Sequence, residues 1–149
     1  MAEIPVNTMK GTQLRIMIES EDTPGNFVHP CLINTQRGIQ WTSTGNDEEI
    51  PFCDDPDAMA WTQHTKTGAS GTITGAGKLN VDDVGDFFNW FNSDDARNVK
   101  IDVGSTGRWD GQWKLTEFQI TGDRGQVAEA TVTLKSHGVQ VWTAGASPL

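Results

Sequence analysis

The sequence predicts a mainly β fold with one α-helix at about residues 80–92. Three observations lead to this fold class. The 149-residue chain contains 16 glycines, several stretches alternate apolar and polar residues at the period of a strand, and one segment has the apolar spacing of a helix. The length suits a single domain, residues 1–149, with its own hydrophobic core.

Irregular structure is predicted at both ends of the chain. Pro5 and Asn7 discourage regular structure in residues 1–10, which we expect to form an N-terminal arm that can dock elsewhere. Residues 143–149 form a C-terminal tail of mostly small side chains. Neither segment has the apolar periodicity of a packed element.

The first half of the chain predicts several strands. Apolar residues at alternate positions from Leu14 to Ile18 indicate the first strand. Residues 27–34 predict a weaker strand, and Pro30, which interrupts it, places it at an edge of the sheet or at a bulge. Ile39 and Trp41 belong to the next strand, and residues 61–67 and 71–75 predict two short strands around a glycine.

A long acidic loop is predicted at residues 44–58. It holds six acidic residues, two prolines and no basic residue. Such a loop inside a compact domain is either functional or a solvated connector. The three residues Ile50, Pro51 and Phe52 favour a contact role, because a solvated loop gains nothing by exposing apolar side chains.

Residues 80–92 have the pattern of an amphipathic helix. Asn80 suits the N-cap, and two aspartates follow in the first turn. An arc of about 120° is expected to face the core, and its residues are Val81, Val84, Phe87, Phe88 and Phe91. Trp90 lies on the opposite side, where it is either half-covered by neighbours or a contact for another chain.

Residues 97–103 predict a strand, and residues 107–143 predict three more strands joined by two turns. Trp109, Gly111, Trp113 and Leu115 share one face of the first of these three strands. Residues 122–125 form the first turn, and the second strand starts at residue 126. The second turn is at residues 137–138.

The pattern of residues 107–143 resembles the C-terminal half of the major tail (tail tube) proteins of long-tailed bacteriophages and gene transfer agents. The resemblance lies in Gly107, Trp109 and Gly111, the glycine-containing turn, and the strand that ends in Leu134-Lys135-Ser136 before Gly138. It covers about forty residues and is a spacing pattern, not a signature motif.

The resemblance implies a fold and a role. The fold is a tail-tube-like β-sandwich or half-barrel flanked by the helix. The role is that of a virion structural protein, which self-assembles into hexameric rings whose inner strands join into a barrel and which stack into a tail tube for DNA. The implied partners are further copies of the chain, a tail terminator, a tape measure and distal tail proteins. The ring protein of type VI secretion systems shares this general fold and stays open as an alternative.

In that family a long loop between two strands reaches the next ring, and residues 44–58 resemble it in position. The residues expected at ring-stacking and other subunit interfaces are Ile4, Val6, Asp47, Glu48, Glu49, Ile50, Pro51, Phe52 and Trp90. The residues expected to anchor the core are Trp41, Phe87, Phe88, Phe91, Trp109 and Trp113.

The formal net charge of −9 argues against tight DNA binding. Duplex-binding proteins rely on clustered lysine and arginine, which release counterions from the phosphates. An acidic surface lets DNA slide past without adhesion, so we expect a net acidic bore. No apolar run reaches the ~20 residues of a membrane span and no secretion signal precedes the first strand, so we expect synthesis and assembly in the bacterial host cytoplasm.

No catalytic, metal or cofactor site is predicted. Residues 71–79 lack the first glycine and the Ser/Thr that a phosphate-binding loop needs. His29, Cys31, Cys53 and His64 match no compact zinc spacing, and a Cys31–Cys53 disulfide is disfavoured in a reducing cytosol. No pattern of a catalytic nucleophile is present, so the chain is not predicted to be an enzyme.

A monomeric β-sandwich that binds carbohydrate or another ligand is the alternative from a different class. An acidic, tryptophan-rich β domain invites this interpretation, with Trp109 and Trp113 stacking on sugar rings. Both tryptophans share a face with Gly111 and Leu115, which favours core packing instead.

Overall fold

The computed structural model describes residues 5, 6, 8–20, 25–30 and 33–145. Seven strands form one antiparallel sheet in the order β2-β1-β5-β6-β7-β4-β3. Short 3₁₀ turns lie at Gly11–Gln13 and Val81–Asp83. The other elements are β1 (Leu14–Glu19), β2 (Phe27–Val28), β3 (Gln36–Ile50), β4 (Trp61–Lys78), α1 (Val84–Asn92), β5 (Arg97–Val103), β6 (Gly107–Thr121) and β7 (Glu129–Ala144).

The sheet curls around a single core cluster, as the half-barrel prediction requires. β1 contacts β3 although four strands separate them in the sheet. His29 lies at this closure, with its ring nitrogens 3.1 Å from the Ile16 carbonyl oxygen and 2.9 Å from that of Ile33. The buried apolar residues of the cluster are Ile16, Ile18, Ile33, Ile73, Phe87, Trp90, Val99, Ile101, Trp113, Leu115, Ala130, Val132 and Leu134.

Helix α1 packs on the core face of the sheet against β6. Phe87 and Trp90 are buried, and the Phe87 ring stacks on Phe118 with centroids 5.9 Å apart. The prediction that Phe88 and Phe91 anchor the core is wrong, since their side chains are 54% and 45% exposed. Because α1 packs against one strand, only a narrow stripe of the helix is buried, and this stripe holds Phe87 and Trp90, three residues apart. Phe88 and Phe91 each follow a buried residue and therefore point about 100° away from the stripe.

The interface prediction for Trp90 is also wrong. Its side chain is 2% exposed, because the chain after α1 folds over it. The indole N–H donates to the Asp95 carbonyl oxygen at 3.0 Å, and the Arg97 guanidinium lies 4.8 Å from the ring centroid. The tryptophan therefore joins α1 to β5 and is not available to another chain.

Residues 107–143 form two long strands and not three. β7 continues through the predicted turn at residues 137–138 by means of a bulge. Asp110 pairs with Val141 and Gln112 with His137, so three residues of β7 lie opposite Gly111. Gly138 has a φ of 83°, which favours glycine, and the Gln140 side chain lies over Gly111, where a Cβ would clash with it.

The boundaries of the first half also differ from the predictions. The weak edge strand is limited to β2, within the described residues of 27–34. The prediction of a loop at residues 44–58 is wrong for its first half, because β3 continues to Ile50. β4 is one strand of 18 residues, and it pairs with β3 over the whole length of β3 with one irregularity after Thr44. The partner strand satisfies the backbone of the acidic segment, which composition could not indicate.

The predicted terminal segments lie partly outside the described residues. Residues 5, 6 and 8–10 have no helix or strand, as expected of an arm. Thr143 and Ala144, assigned to the tail by the sequence, belong to β7. Residues 146–149 and Ile4 lie outside the described residues.

Candidate assembly interface

The outer parts of β3 and β4 form a two-stranded ribbon that is not covered by other described parts of the chain. Between Thr42 and Ser70 both faces are exposed to solvent, apart from partial burial of Ala58 and Ala60. Pairing of β4 with β7 begins only at Thr72. Residues 42–70 are called the hairpin arm below. A ribbon without a hydrophobic face is marginally stable alone, so the arm is the part of the fold that most needs a partner.

The end of the hairpin arm carries four exposed apolar side chains, Ile50, Phe52, Met59 and Trp61, which we call the hairpin tip. Their exposed fractions are 43%, 47%, 78% and 69%. The six predicted interface residues 47–52 are all exposed here. Met59 and Trp61 were missed, because a tryptophan that starts an alternating strand is normally assigned to the core.

The charges of the hairpin arm are mostly negative. The six acidic residues of positions 47–57 surround the hairpin tip. A hydrogen bond joins His64 Nδ1 and the Asp47 carboxylate across the two strands. Cys53 is exposed and free. A partner for this region must therefore offer an apolar surface without a strong negative charge of its own.

A second apolar surface lies at the base of the hairpin arm. Three tryptophans line this cleft of about 540 Å³, which we call the tryptophan cleft. The ring of Trp109 lies 5.2 Å from Trp41 and 4.8 Å from Trp142, between centroids. The remaining lining residues are Ala69, Ser70, Ser136, Gly138, Val139 and Gln140.

The three predicted core tryptophans of the sheet have different environments. Trp113 is fully buried, as predicted. Trp109 is half-buried beside the core. Trp41 is 40% exposed, so its assignment as a core anchor is wrong: its outer side faces the tryptophan cleft. Trp142, which also lines the cleft, was not among the residues singled out from the sequence.

The tryptophan cleft exists because two strands diverge. The β4–β7 ladder stops at the Thr72–Lys135 pair, and the Gly71 amide donates instead to Ser136 Oγ at 2.9 Å. Among the described residues, neither residues 61–70 of β4 nor residues 137–144 of β7 have a strand partner on the sides that face each other. Two open strand edges therefore flank the cleft, and open edges readily pair with another chain.

The outer face of β3, β4, β7 and β6 is polar. Its charged residues nearly balance, with Lys78, Lys114, Lys135 and Arg108 against Glu117, Glu129 and Asp110. Lys78 Nζ donates to Glu129 at 2.7 Å, and this hydrogen bond, together with the lysine charge, holds the pKa of Glu129 below its usual value. The uncharged residues of the face are Gln36, Gly38, Gln40, Thr72, Thr74, Ala76, Gln119, Thr121, Thr131 and Thr133.

The described part of the chain contains no cluster of three or more histidine, cysteine, aspartate or glutamate residues placed to hold a metal ion. Cys31 lies outside that part. His29 bonds to backbone between β1 and β3, whereas His64 lies on the hairpin arm. None of the helices described is long and apolar enough to cross a membrane.

Comparisons with known proteins agree with this geometry. The family model described as "Phage tail tube protein" matches residues 8–141. Comparison with curated proteins by sequence gives no match. Three solved structures share the fold at low identity.

The first is the tail of an empty gene transfer agent (GTA) particle, obtained by helical refinement with C6 symmetry. It has a TM-score of 0.77 and 17% identity, and it covers 92% of this chain and 100% of that chain. The virion of a native GTA particle gives 0.75 and 16%, with the same coverage. The SPP1 tail tube gives 0.64 and 9%, covering 95% of this chain and 81% of that chain.

Proposed function

This chain belongs to the phage tail tube protein family, and we propose that its subunits assemble into hexameric rings that stack into a tube for DNA passage. It is a tail tube structural protein of a phage-like or GTA-like particle. The C6 symmetry of the similar GTA tail supports six subunits in each ring.

The observation that carries the proposal is the hairpin arm. In the single chain all of its 29 residues, 42–70, are exposed except the partly buried Ala58 and Ala60, and its end carries four exposed apolar side chains. Such a segment gains stability by burial against another subunit. Head-to-tail contacts between successive rings do not close when they run along the axis, and they then extend an assembly in one direction.

The polar outer face of β3, β4, β7 and β6 suits the wall of a DNA channel. Most of its side chains are short or uncharged, and its four basic residues, Lys78, Lys114, Lys135 and Arg108, nearly balance its three acidic residues, Glu117, Glu129 and Asp110. DNA adheres to clustered positive charge, so this face would let DNA pass without specific binding. The net charge of −9 per subunit gives the tube as a whole a negative charge, which does not attract DNA.

The family also supports a set of partners and a location. We propose that the tube lies in the particle tail, is assembled in the bacterial host cytoplasm, and meets a tail terminator, a tape measure and distal tail proteins at its ends and within it. We propose no catalytic role for the chain. Its proposed role is structural, because the subunits form the wall of the tube through which DNA passes.

The tryptophan cleft favours one other function. Three aromatic rings around an open cleft could stack on a carbohydrate, which would make the chain a monomeric ligand-binding module. Sedimentation velocity over a range of concentrations separates the two proposals. Tube assembly predicts six-subunit species and larger particles that grow with concentration, whereas a 16.3 kDa monomer at the highest soluble concentration would contradict it.

A further inference from the structure

We propose that the hairpin tip of one subunit docks in the tryptophan cleft of a second copy in the next ring. This inference rests on the proposed tube and adds the receptor for the hairpin arm. The two surfaces are the main apolar features of opposite ends of the same ribbon. Each exposes large side chains that a monomer leaves in water.

The chemistry of the two surfaces matches. The hairpin tip offers Ile50, Phe52, Met59 and Trp61, and the cleft offers the faces of Trp41 and Trp142 together with Val139, which is 82% exposed. Burial of apolar area gains roughly 25 cal/mol per Å², and aromatic side chains dominate such contacts. Neither surface has an apolar partner within the described part of its own chain.

Charge selects the cleft over other sites on a second copy. The hairpin arm carries six acidic residues around its tip, and the whole chain is acidic. No charged residue lines the cleft. The lining residues Ser136 and Trp109 have Lys135, His137 and Arg108 as sequence neighbours, against the single acid Asp110. The cleft is thus a place where the acidic tip meets little repulsion.

The backbone of the cleft suits an extended occupant. The facing edges of β4 and β7 lack strand partners among the described residues. A strand or turn from another chain can pair with either edge, and side-chain pockets then fix its register. The hairpin tip presents backbone of that kind at the ends of β3 and β4.

Geometry makes the contact repeat without closing. Trp41 lies in the cleft and Ile50 at the tip on the same strand, β3. At ~3.3 Å per residue these sites are about 30 Å apart. With the hairpin arm parallel to the tube axis, docking of the tip of one copy at the base of the next gives an axial repeat on the order of 30 Å and an unlimited stack.

Disulfide trapping tests the contact directly, since Cys53 already lies beside Phe52. The variant Val139→Cys places a thiol in the cleft at an exposed position. Oxidation of assembled tubes should give a ladder of covalent dimers, trimers and longer chains. Two matched controls, Val139→Cys with Cys53→Ser, and Val127→Cys at another exposed valine, 65% exposed, should give no ladder.

A second variant measures the energetic role. Val139→Asp should leave a folded subunit and intact rings but reduce tube length at least tenfold, while Val127→Asp should leave tube length unchanged.

Tubes of normal length from Val139→Asp, without a ladder from Val139→Cys, would overturn the docking proposal and leave the tube function standing. A ladder from Val139→Cys with Val6→Cys and Cys53→Ser would instead place the N-terminal arm in the cleft and overturn the proposal. Absence of rings and tubes in the wild-type protein would contradict the tube function itself.

Discussion

Trp113 and Trp61 show how differently two tryptophans serve this protein. Trp113 is fully buried in the core cluster, and Trp61 is 69% exposed at the hairpin tip. Trp113→Ala leaves a cavity beside Ile73 and Leu134 in the same cluster, and we expect a loss of about 3–5 kcal/mol in the free energy of unfolding. Urea denaturation measures this loss.

Trp61→Ala is the matched control, because it removes the same type of side chain from a solvent-exposed position. Its free energy of unfolding should change by less than about 0.5 kcal/mol. Equal destabilisation by both substitutions would mean that the hairpin tip packs on its own subunit and is not free for a partner.

Burial of single residues was only partly predictable from the sequence. Alternation correctly placed Trp113 and Leu115 on the core face, since a strand has two fixed sides. It could not rank Phe88 and Phe91 against Phe87 and Trp90, because which stripe of a helix faces the sheet depends on tertiary docking. The partly open site of Trp41 depends on where β4 and β7 diverge, which no local pattern encodes.

The hairpin arm is the element on which the proposed assembly depends. Replacing residues 44–68 by Asn-Gly joins Ser43 to Ala69, which already pair, through a tight two-residue turn. No residue of the core cluster is removed, so the unfolding temperature should stay close to that of the wild type. Tubes should be lost, because the variant lacks the proposed stacking contact.

Electron microscopy of this shortened variant checks the expectation. Val127→Ser serves as a control, since it changes an exposed apolar residue outside the hairpin arm and should keep the tubes. Tubes of normal length from the shortened variant would show that the arm is a solvated connector, the alternative that the acidic composition of residues 44–58 left open.

Elements were predicted best where local pattern and tertiary pairing agree. The existence of β1, β5 and β6 and of the helix followed from periodicity and from turn residues. The continuity of β4 and β7 did not, because the glycines that suggested turns at positions 68 and 138 lie within strands. At Gly138 the backbone forms a bulge. A glycine with a left-handed backbone conformation occurs both in bulges and in turns, so the glycine alone did not distinguish them.

For the whole molecule, an acidic subunit with open strand edges and a projecting ribbon is suited to assembly. Open edges are liabilities in a monomer, and closure around a ring removes them. The family was recognisable from the spacing of residues 107–143 and is shown by the match over residues 8–141. The assembly surfaces could not be deduced from that spacing, because the tryptophan cleft joins residues of four strands.

Electron microscopy of the purified wild-type chain tests the central claim most directly. Rotational averaging of end views should give rings with sixfold symmetry. Side views should show tubes with an axial repeat on the order of 30 Å, set by the ~3.3 Å rise per residue along the hairpin arm. A field of single 16.3 kDa particles, without rings or tubes at any concentration tested, would contradict the account.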